Sequence, residues 1–566
     1  MIPRKRMFFR SRLKAVISFS IAFVTISLFT ILGFVTLSGQ NLNPEKKILN
    51  IIKKMTLRQK IGQLFVIDIP GEILSKDDLQ FIQNRGVGNF ILMGRNLRNQ
   101  AQIRNLTETI QSYSYKQYNL PSLISIDQES GSNIRMFRNS TVFPSSMTIA
   151  ATNNLESAYK SSYFQAIELN DVGINLNFAP VSDVNSNIHN PIVGDRSFGD
   201  NPEVVSKYVQ NYIRGHKNAG VLSCSKHFPG HGETSQDSHY ELPKINRTFE
   251  SLKKIDLPPF KASINYGVDM IMLGHLITPL DEMKPCSTSS KCINYLRKEL
   301  GYEGVTITDS MVMKAIKQEK YNETILEAIL AGADLICSCG KVFEPFQYYT
   351  IDYLMECVEK GLLPMKRIEE SLKRIIKLKL SLEKMVHTVD YQYNHNVAQK
   401  ISESGITFFN DENKNLIPLN DSQSYICIEA NLSKQYMLEE YIKESFCTRL
   451  SKIINLKKFV FDKKVSQNDK DQINVLAKEN KTTIFVPYKS RWNKEQMQVI
   501  KEYYNANNNL ILVSLSDPYE FLDFKFIKTK IIGYEYSPLS LAASVNVIIG
   551  SNKINASIPF NIPNNT

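Results

Sequence analysis

One stretch of the sequence concentrates side chains that can transfer protons. It runs from Lys226 to His239, reads KHFPGHGETSQDSH and holds three histidines, an aspartate and a glutamate. The proline and glycine near its centre do not readily continue a helix or a strand, so we expect a loop with conformational freedom. Asp237 comes two residues before His239, and such a carboxylate can accept a hydrogen bond from the imidazole and fix its tautomer. The pair is a candidate general acid and base.

The same loop allows two other interpretations. His227, His231 and His239 are residues of the type that binds zinc. Their spacing matches no helical HxxxH pair, because Pro229 and Gly230 lie between the first two histidines. The second alternative is a polar surface loop without a chemical role. The residues alone leave both interpretations open.

A carboxylate ends an apolar run later in the chain. Asp309 follows the segment GVTIT and precedes Ser310. A carboxylate on a rigid strand end can attack an anomeric carbon and be displaced by water afterwards. Aspartate is also a favoured N-cap, so Asp309 is equally a candidate cap for the following helix.

Two further clusters carry groups that suit sugar hydroxyls. In the segment SIDQESGSNIR, Asp127 can accept hydrogen bonds from two hydroxyls and Arg135 can donate to one. The second cluster, GDRSF, contains Arg196. A buried structural pair between Asp195 and Arg196 is the alternative for this cluster.

The elements that must position these residues follow a regular pattern, in which short apolar runs alternate with amphipathic helical segments. The predicted strands are Ile61–Asp68, Asn89–Met93, Ser122–Asp127, Ile174–Pro180, Leu222–His227, Asp269–His275, Val305–Asp309 and Asp334–Cys337. Apolar strands separated by helices indicate a parallel sheet, and eight such units indicate a (β/α)8 barrel, here over residues 48–388. Most polar residues fall at the carboxyl ends of the runs, which in a barrel form the catalytic face.

A second α/β pattern covers residues 398–566, after a predicted linker near Val389–His395. Its predicted strands are Tyr425–Glu429, Lys458–Phe461, Thr483–Pro487, Leu510–Leu515 and Lys530–Tyr534. All eight histidines precede residue 396. The second domain therefore lacks the commonest acid/base side chain.

The N-terminus has the character of a membrane signal. Six of the basic residues in a chain with a net charge of +12 precede residue 15. The uncharged run 15–37 that follows is long enough to cross a bilayer as a helix, and the charge bias predicts a cytoplasmic flank at 1–14 with the rest outside. An uncleaved anchor is favoured over a removed signal peptide. The sequence shows no stripe of basic residues interleaved with aromatic residues, so nucleic-acid binding is not predicted.

The eight cysteines are scattered. Because they form no two CxxC motifs, a structural zinc site is not predicted. Cys286 and Cys292 are close enough in sequence for a loop disulfide, and Cys427 with Cys447 is a weaker candidate pair. Unpaired, partly buried thiols are the alternative for each. No cofactor is predicted.

Together the four clusters make the chain resemble glycoside hydrolase family 3, in the β-N-acetylglucosaminidase branch that trims peptidoglycan. The resemblance covers the barrel, and the second domain looks like the α/β sandwich of the family. The loop KHFPGHG…DSH is the most specific motif. The chain differs from the branch at Ser130 and Ser132, where glycine then arginine are usual, and at Ser310, where a second aspartate is common.

Carried over by position, the resemblance implies an enzyme that releases terminal β-linked N-acetylglucosamine with retention of configuration. Asp309 is then the nucleophile and His239 the acid/base, oriented by Asp237. The sugar pocket implied by the resemblance consists of Asp127, Arg135, Arg196, Lys226 and His227. The alternatives are a family 3 β-glucosidase, a glycoside phosphorylase, and an inactive membrane-tethered protein that binds the cell wall.

Overall fold

The computed structural model describes residues 43–562 except 132, 239, 317, 341–344, 383–384, 432–441, 463 and 553–555. The predicted acid/base His239, the predicted flank 1–14 and the predicted anchor 15–37 therefore lie outside the described residues. Within the described ranges, no helix has the length and apolar character needed to span a membrane.

The chain divides into two units, Met1–Met55 and Thr56–Thr566. The described part of the first unit is mainly the helix Pro44–Lys54. Asn43 begins this helix, since its side chain accepts a hydrogen bond from the backbone N–H of Glu45. Both sheets of the protein belong to the second unit.

Eight parallel strands form the first sheet. They are β1 (Phe65–Asp68), β2 (Asn89–Leu92), β3 (Leu123–Ile126), β4 (Leu176–Asn177), β5 (Leu222–Phe228), β6 (Met270–Leu273), β7 (Val305–Thr308) and β8 (Ile336–Ser338). The strands β1 to β7 pair in sequence order, and β1 also pairs with β8. An isolated bridge between Ile307 of β7 and Leu335, the residue before β8, links the two ends of the sheet. The predicted (β/α)8 architecture is confirmed as a nearly closed parallel barrel.

Helices separate these strands, as parallel pairing requires. Their bounds are Leu57–Gly62, Lys76–Arg85, Gln100–Tyr118, Ser146–Ala151, Leu155–Asp171, Pro202–Asn218, Phe249–Ile255, Pro258–Tyr266, Ser290–Asn294, Tyr321–Ala331, Pro345–Glu359 and Met365–Leu380. The strand residues are buried, including all seven of β5, which explains why the runs are apolar on both faces.

The second sheet has the strand order β11-β10-β12-β13-β14-β9. Its strands are β9 (Thr407–Phe409), β10 (Tyr425–Ala430), β11 (Leu456–Phe461), β12 (Thr483–Val486), β13 (Leu510–Ser514) and β14 (Thr529–Ile532). All pairs are parallel except β9 with β14. The accompanying helices are Tyr391–Gly405, Phe446–Leu450, Gln467–Ala477, Lys494–Ala506 and Pro538–Ile548.

Both faces of this second sheet are buried. Along β10, Ile426 and Ile428 belong to one hydrophobic cluster, whereas Tyr425 and Cys427 belong to another. This alternation follows from the two-residue period of a strand. The second α/β pattern predicted from the sequence is confirmed as a second sheet.

Two predicted boundaries are wrong. The first predicted strand begins too early, because Ile61 lies in the helix Leu57–Gly62, which a capping box between Thr56 and Gln59 starts. The predicted linker near Val389–His395 is instead largely the first turns of the helix Tyr391–Gly405.

The cysteines also correct one expectation. Cys427 and Cys447 form a disulfide, with Cα atoms 5.7 Å apart, that joins β10 to the helix Phe446–Leu450. Cys286 and Cys292 are buried free thiols. The pairing predicted for them is therefore wrong, and the weaker candidate pair is the one that forms.

Residues in the segments that follow β13 and β14 contact the loops that follow β3 and β4. The backbone N–H of Ser145 donates to Glu535 Oε2 at 2.5 Å, and Asn185 Nδ2 donates to Tyr519 Oη at 2.6 Å. Burial raises the pKa of Glu535 to about 8. The rim of the barrel is thus supported from outside the barrel.

Candidate active site

The carboxyl ends of the barrel strands surround a cavity of about 690 Å³. Seven candidate site residues from the sequence line it, namely Asp127, Arg135, Arg196, Lys226, His227, His231 and Asp309. They come from the ends of β3, β4, β5 and β7, so the closure of the barrel brings them together. Asp237 is not part of the lining, whereas its neighbour Ser238 is.

Asp309 follows β7 directly. Its backbone N–H donates to Leu273 O at 2.9 Å, and its Oδ1 accepts a hydrogen bond from Ser310 N at 2.7 Å. The next α-helix begins only at Tyr321, with Lys320 at its N-cap. The interpretation of Asp309 as a helix cap is therefore wrong, and the residue is a carboxylate at the cavity wall.

A compact ionic cluster stands on the β3 and β5 side of the cavity. Lys226 Nζ lies 2.8 Å from Asp127 Oδ1 and 2.5 Å from Glu129 Oε1. Arg196 binds Glu129 through two hydrogen bonds, of 2.7 Å from Nε and 2.9 Å from Nη2. Such a bidentate pair has a fixed geometry. The carboxylate that holds the guanidinium of Arg196 is thus Glu129. The pair predicted with Asp195 is not the contact that fixes this side chain.

Charge compensation governs this cluster. Burial alone would raise the pKa of Glu129, but Arg196 and Lys226 outweigh that effect and hold this pKa well below its ordinary value. Burial raises the pKa of Asp195 to about 6, although Lys489 and Arg196 act in the opposite direction. Glu129 is therefore ionised at neutral pH and fixes two cations beside the substrate cavity.

Arg135 completes the polar side of the cavity. Its Nη1 donates to Asn133 Oδ1 at 3.0 Å, and its Nη2 lies 3.9 Å from Asp127 Oδ2. Asp127 therefore has a cation near each of its oxygens. A carboxylate held in this way can accept hydrogen bonds from two adjacent hydroxyls of a sugar.

Asp183, in the loop after β4, binds His227 and His231 of the segment KHFPGH. Its Oδ1 accepts from the backbone N–H of His227 at 3.1 Å and of His231 at 2.8 Å. Its Oδ2 lies 2.8 Å from His227 Nδ1. A carboxylate partner makes Nδ1 the protonated nitrogen, so Nε2 of His227 is left to face other groups.

His231 is held by two hydroxyl groups. Its Nε2 lies 3.1 Å from Ser238 Oγ and its Nδ1 lies 2.9 Å from Thr234 Oγ1. Burial, with a smaller effect of His227, lowers the pKa of His231 to about 4. Both ring nitrogens are thus occupied, which does not suit the zinc site considered for this loop. No group of three or more potential metal ligands occurs among the described residues.

The loop that carries the predicted acid/base passes beside the cavity. Ser238 is buried and lines the cavity, and the carbonyl of Asp237 accepts from the N–H of Tyr240 and of Glu241, each at 3.0 Å. Lys314 Nζ lies 5.4 Å from the centre of the Tyr240 ring, and Lys314 also lines the cavity. Ser238 therefore lies in the wall of the cavity that contains Asp309.

Reasoning from sequence did not assign the structural roles of three residues, Glu129, Asp183 and His231. Signals for two of them were visible, because Glu129 follows Asp127 at the spacing of one strand face and Asp183 closes an apolar run. No signal showed which partners they bind. The pairing of Glu129 with Arg196 crosses 67 positions of sequence.

Two of the departures from the family pattern have a structural setting. Ser130 has a backbone φ of 90°, a conformation that favours glycine, and its Oγ accepts a hydrogen bond from Gln165 Nε2 at 2.8 Å. Ser310 donates from Oγ to Cys339 O at 2.6 Å. Ser132 lies outside the described residues.

Comparison with known proteins agrees with this architecture. The family model described as "Glycosyl hydrolase family 3 N terminal domain" matches residues 56–378. "Beta-hexosaminidase A" of Pseudoalteromonas piscicida is 36% identical over 329 residues, which are 54% of this chain and 55% of that protein. The match therefore spans about half the length of that relative. "Beta-hexosaminidase" of Photobacterium profundum is 35% identical over 279 residues, covering 49% of this chain and 81% of that protein.

A solved structure extends the likeness to the second sheet. The glycoside hydrolase family 3 beta-N-acetylglucosaminidase from Paenibacillus sp. strain FPU-7 superposes with a TM-score of 0.82 at 30% sequence identity. The alignment covers 90% of this chain and 99% of that chain. With the family model matching more than half of the sequence, the chain belongs to glycosyl hydrolase family 3 and is a glycoside hydrolase.

Proposed function

We propose that the protein is a retaining, exo-acting β-N-acetylglucosaminidase that removes terminal β-linked N-acetylglucosamine from peptidoglycan fragments. The observation that carries the proposal is the position of Asp309 at the wall of a cavity that also holds the Asp127, Glu129, Lys226 and Arg196 cluster. The names of the relatives, beta-hexosaminidase and beta-N-acetylglucosaminidase, support this choice of sugar.

In the proposed mechanism, the substrate binds first, and two displacements then invert the configuration of its anomeric carbon in turn. Asp127 and Arg135 take hydroxyls of the terminal sugar, while Lys226 and Arg196 keep Asp127 and Glu129 compensated. Protonated His239 then donates to the leaving oxygen as Asp309 attacks the anomeric carbon, which forms a glycosyl-enzyme. Neutral His239 next deprotonates a water that attacks the same carbon and releases Asp309, so the configuration is retained.

A histidine suits the double role of proton donor and acceptor because its ordinary pKa lies near neutrality. Asp237 orients His239 in this proposal. The loop that bears both residues approaches the cavity through Ser238, and a loop of this kind can deliver a proton donor only when substrate is bound.

Trapping the intermediate tests the nucleophile directly. A 2-fluoro or 5-fluoro analogue of N-acetylglucosaminide should leave one labelled residue, Asp309, in a peptide map by mass spectrometry. Label on another carboxylate sinks this assignment. Asp309→Asn should give no labelled peptide, and Asp309→Asn that retains turnover contradicts the mechanism.

Substrate choice needs a separate experiment. Turnover of p-nitrophenyl β-N-acetylglucosaminide should exceed turnover of the β-glucoside, and added phosphate should leave the product as the free sugar. Preference for glucose would favour a β-glucosidase, and a sugar phosphate product would favour a phosphorylase. Absence of turnover on either glycoside would favour an inactive wall-binding protein.

For location, we propose that residues 15–37 anchor the chain in the cell membrane with the barrel outside the cytoplasm. The support is the uncharged run after six basic residues. Protease added to intact spheroplasts should remove the barrel and leave the anchor in the membrane fraction. Protection of the barrel from the protease contradicts this location, whereas a barrel found free in the medium indicates cleavage of the segment.

A further inference from the structure

Two thiols stand side by side in the cavity wall. Cys337 and Cys339 lie at the end of β8, with their Sγ atoms 3.4 Å apart. Both residues line the cavity that contains Asp309, and their exposed fractions are 2% and 8%. They lie on one face of the strand because side chains two residues apart point the same way. The proposed hydrolysis gives neither thiol a role.

The distance between these sulfurs suits chelation better than a disulfide. Two thiolates at 2.3 Å from a tetrahedral zinc ion are roughly 3.8 Å apart, a few tenths of an ångström more than the distance here. A disulfide needs sulfurs at about 2.05 Å and Cβ atoms at about 3.8 Å. Residues two apart on a strand have Cα atoms roughly 6.6 Å apart, at the upper end of the range of about 4.4–6.8 Å that disulfides adopt, so a disulfide of ordinary geometry favours a contraction of β8.

The backbone around the pair opposes such a contraction. Cys337 donates from its N–H to Thr308 Oγ1 at 3.1 Å, and Met311 N donates to Cys337 O at 2.8 Å. Cys339 O accepts from Ser310 Oγ at 2.6 Å. These contacts tie β8 to the segment around Asp309, which keeps the two thiols in place as a pair.

The local charge also favours a cation. The carboxyl groups of Asp309 and Asp127 line the same cavity and act electrostatically on Cys337, so the sulfurs lie near negative charge. Thiolates are the ligands that select soft metal ions.

We propose that Cys337 and Cys339 form a binding site for a soft divalent cation, such as Zn²⁺ or Cd²⁺, whose occupancy inhibits the enzyme. Two metal–sulfur bonds form, and the two S–H protons pass to the solvent without any transfer of electrons. The bound cation occupies part of the cavity and places positive charge close to Asp309. Its inhibitory effect rests on the proposed function, whereas its binding does not.

Cd²⁺ is the probe, because it is not reduced by thiols. Titration of the full chain should give an ultraviolet thiolate-to-metal charge-transfer band, with one band-forming cation per chain. Calorimetry in two buffers of different ionisation enthalpy should show release of up to two protons per cation. Cys337→Ser and Cys339→Ser should each weaken binding at least tenfold. Binding that neither variant changes overturns the proposal.

The matched control is the other thiol pair. Cys286 and Cys292 contact each other and are fully buried, yet they are not among the cavity-lining residues. Cys292→Ser should bind Cd²⁺ as tightly as the natural chain. Loss of the charge-transfer band in Cys292→Ser, with the band kept in Cys337→Ser, assigns the site to the wrong pair and contradicts the proposal.

Inhibition is measured against the metal-free activity of each variant. Half-inhibition by Cd²⁺ should require at least tenfold more metal in Cys337→Ser and Cys339→Ser, and excess N-acetylglucosamine should weaken Cd²⁺ binding to the natural chain. If Cd²⁺ inhibits all variants equally, or if N-acetylglucosamine does not change Cd²⁺ binding, the cation at these thiols does not inhibit the enzyme. A chain that lacks glycosidase turnover but binds Cd²⁺ through these thiols contradicts the proposed function and leaves the metal site standing. If a serine variant fails to fold, the sugar competition in the natural chain decides alone.

Discussion

Glu129 accepts hydrogen bonds from the guanidinium of Arg196 with both carboxylate oxygens, Oε1 and Oε2. Its Oε1 also lies 2.5 Å from Lys226 Nζ. One carboxylate thus neutralises two cations that line the cavity. Removing a single partner from a buried ionic group leaves the remaining charges uncompensated, which costs more than the group gained by pairing.

Glu129→Gln should therefore lower the free energy of unfolding by about 3 kcal/mol and raise KM, because Arg196 and Lys226 lose their fixed position. Urea denaturation and steady-state kinetics measure the two effects. The low pKa of Glu129 adds a pH dependence. Since the folded pKa lies below the unfolded one, the stabilisation is present above the unfolded value and is lost as pH falls through the folded value. The variant should lack this acid-side loss, and an unchanged acid limb contradicts the role of Glu129.

Asp183→Asn should reduce kcat/KM by roughly 10²-fold, because an amide cannot accept from His227 Nδ1 and both backbone N–H groups at the same time. The ring of His227 would then lose the partner that fixes its orientation. Kinetics with p-nitrophenyl β-N-acetylglucosaminide measure the loss. Asp269→Asn, a change outside the cavity lining, is the control and should change kcat/KM much less. Similar losses in the two variants would show that Asp183 acts only through folding.

Asp309→Asn should lower kcat by roughly 10⁴-fold or more, because the proposed covalent step has no nucleophile. The change removes a charge and keeps the shape, so the thermal midpoint should move little. Addition of azide should restore part of the turnover, with inversion of the product, because the anion can attack in place of the carboxylate. Rescue with retention contradicts the role of Asp309 as nucleophile.

Burial raises the pKa of Glu535 to about 8, which predicts that the protein loses stability as the pH rises toward that value. Between the unfolded value near 4.5 and about 8 the folded chain binds more protons than the unfolded chain, so the free energy of unfolding falls as pH rises. The effect of this one group is on the order of a few kcal/mol. Glu535→Gln should flatten the curve from pH 4.5 to about 8, within the window these values define. A variant with the natural slope shows that other buried carboxyls dominate.

Reduction of the disulfide between Cys427 and Cys447 should destabilise the second sheet by about 3 kcal/mol, since it closes a loop with a sequence separation of 20. Cys427→Ser/Cys447→Ser should show the same loss of unfolding free energy with or without reductant. Turnover should be retained below the unfolding transition. A natural chain that is insensitive to reductant contradicts the contribution of this bond.

The barrel was predictable because burial on both faces leaves apolar runs that the sequence shows directly. The same pattern placed Asp309 and Lys226 at strand ends. The ends of the strands were harder to predict from the sequence. Ile61 belongs to an apolar run, yet it lies in the helix that the capping box of Thr56 and Gln59 begins.

The partners of the site residues were beyond the sequence for a different reason. Glu129 and Asp127 are both carboxylates on one short segment, and nothing local shows which of them binds Arg196, far along the chain. Asp183 binds His227 and His231 only after its loop and the segment KHFPGH have folded against each other. Local patterns predict elements, whereas these contacts depend on the closure of the barrel.

The hydrogen bonds from Ser145 to Glu535 and from Asn185 to Tyr519 have a consequence for how separable the two sheets are. A fragment that ends after the barrel would leave the loops that follow β3 and β4 without these partners, close to the residues that line the cavity. The loops of the barrel and the segments after β13 and β14 thus depend on each other for these buried hydrogen bonds. A change at Glu535 or Tyr519 therefore alters the surroundings of the barrel rim.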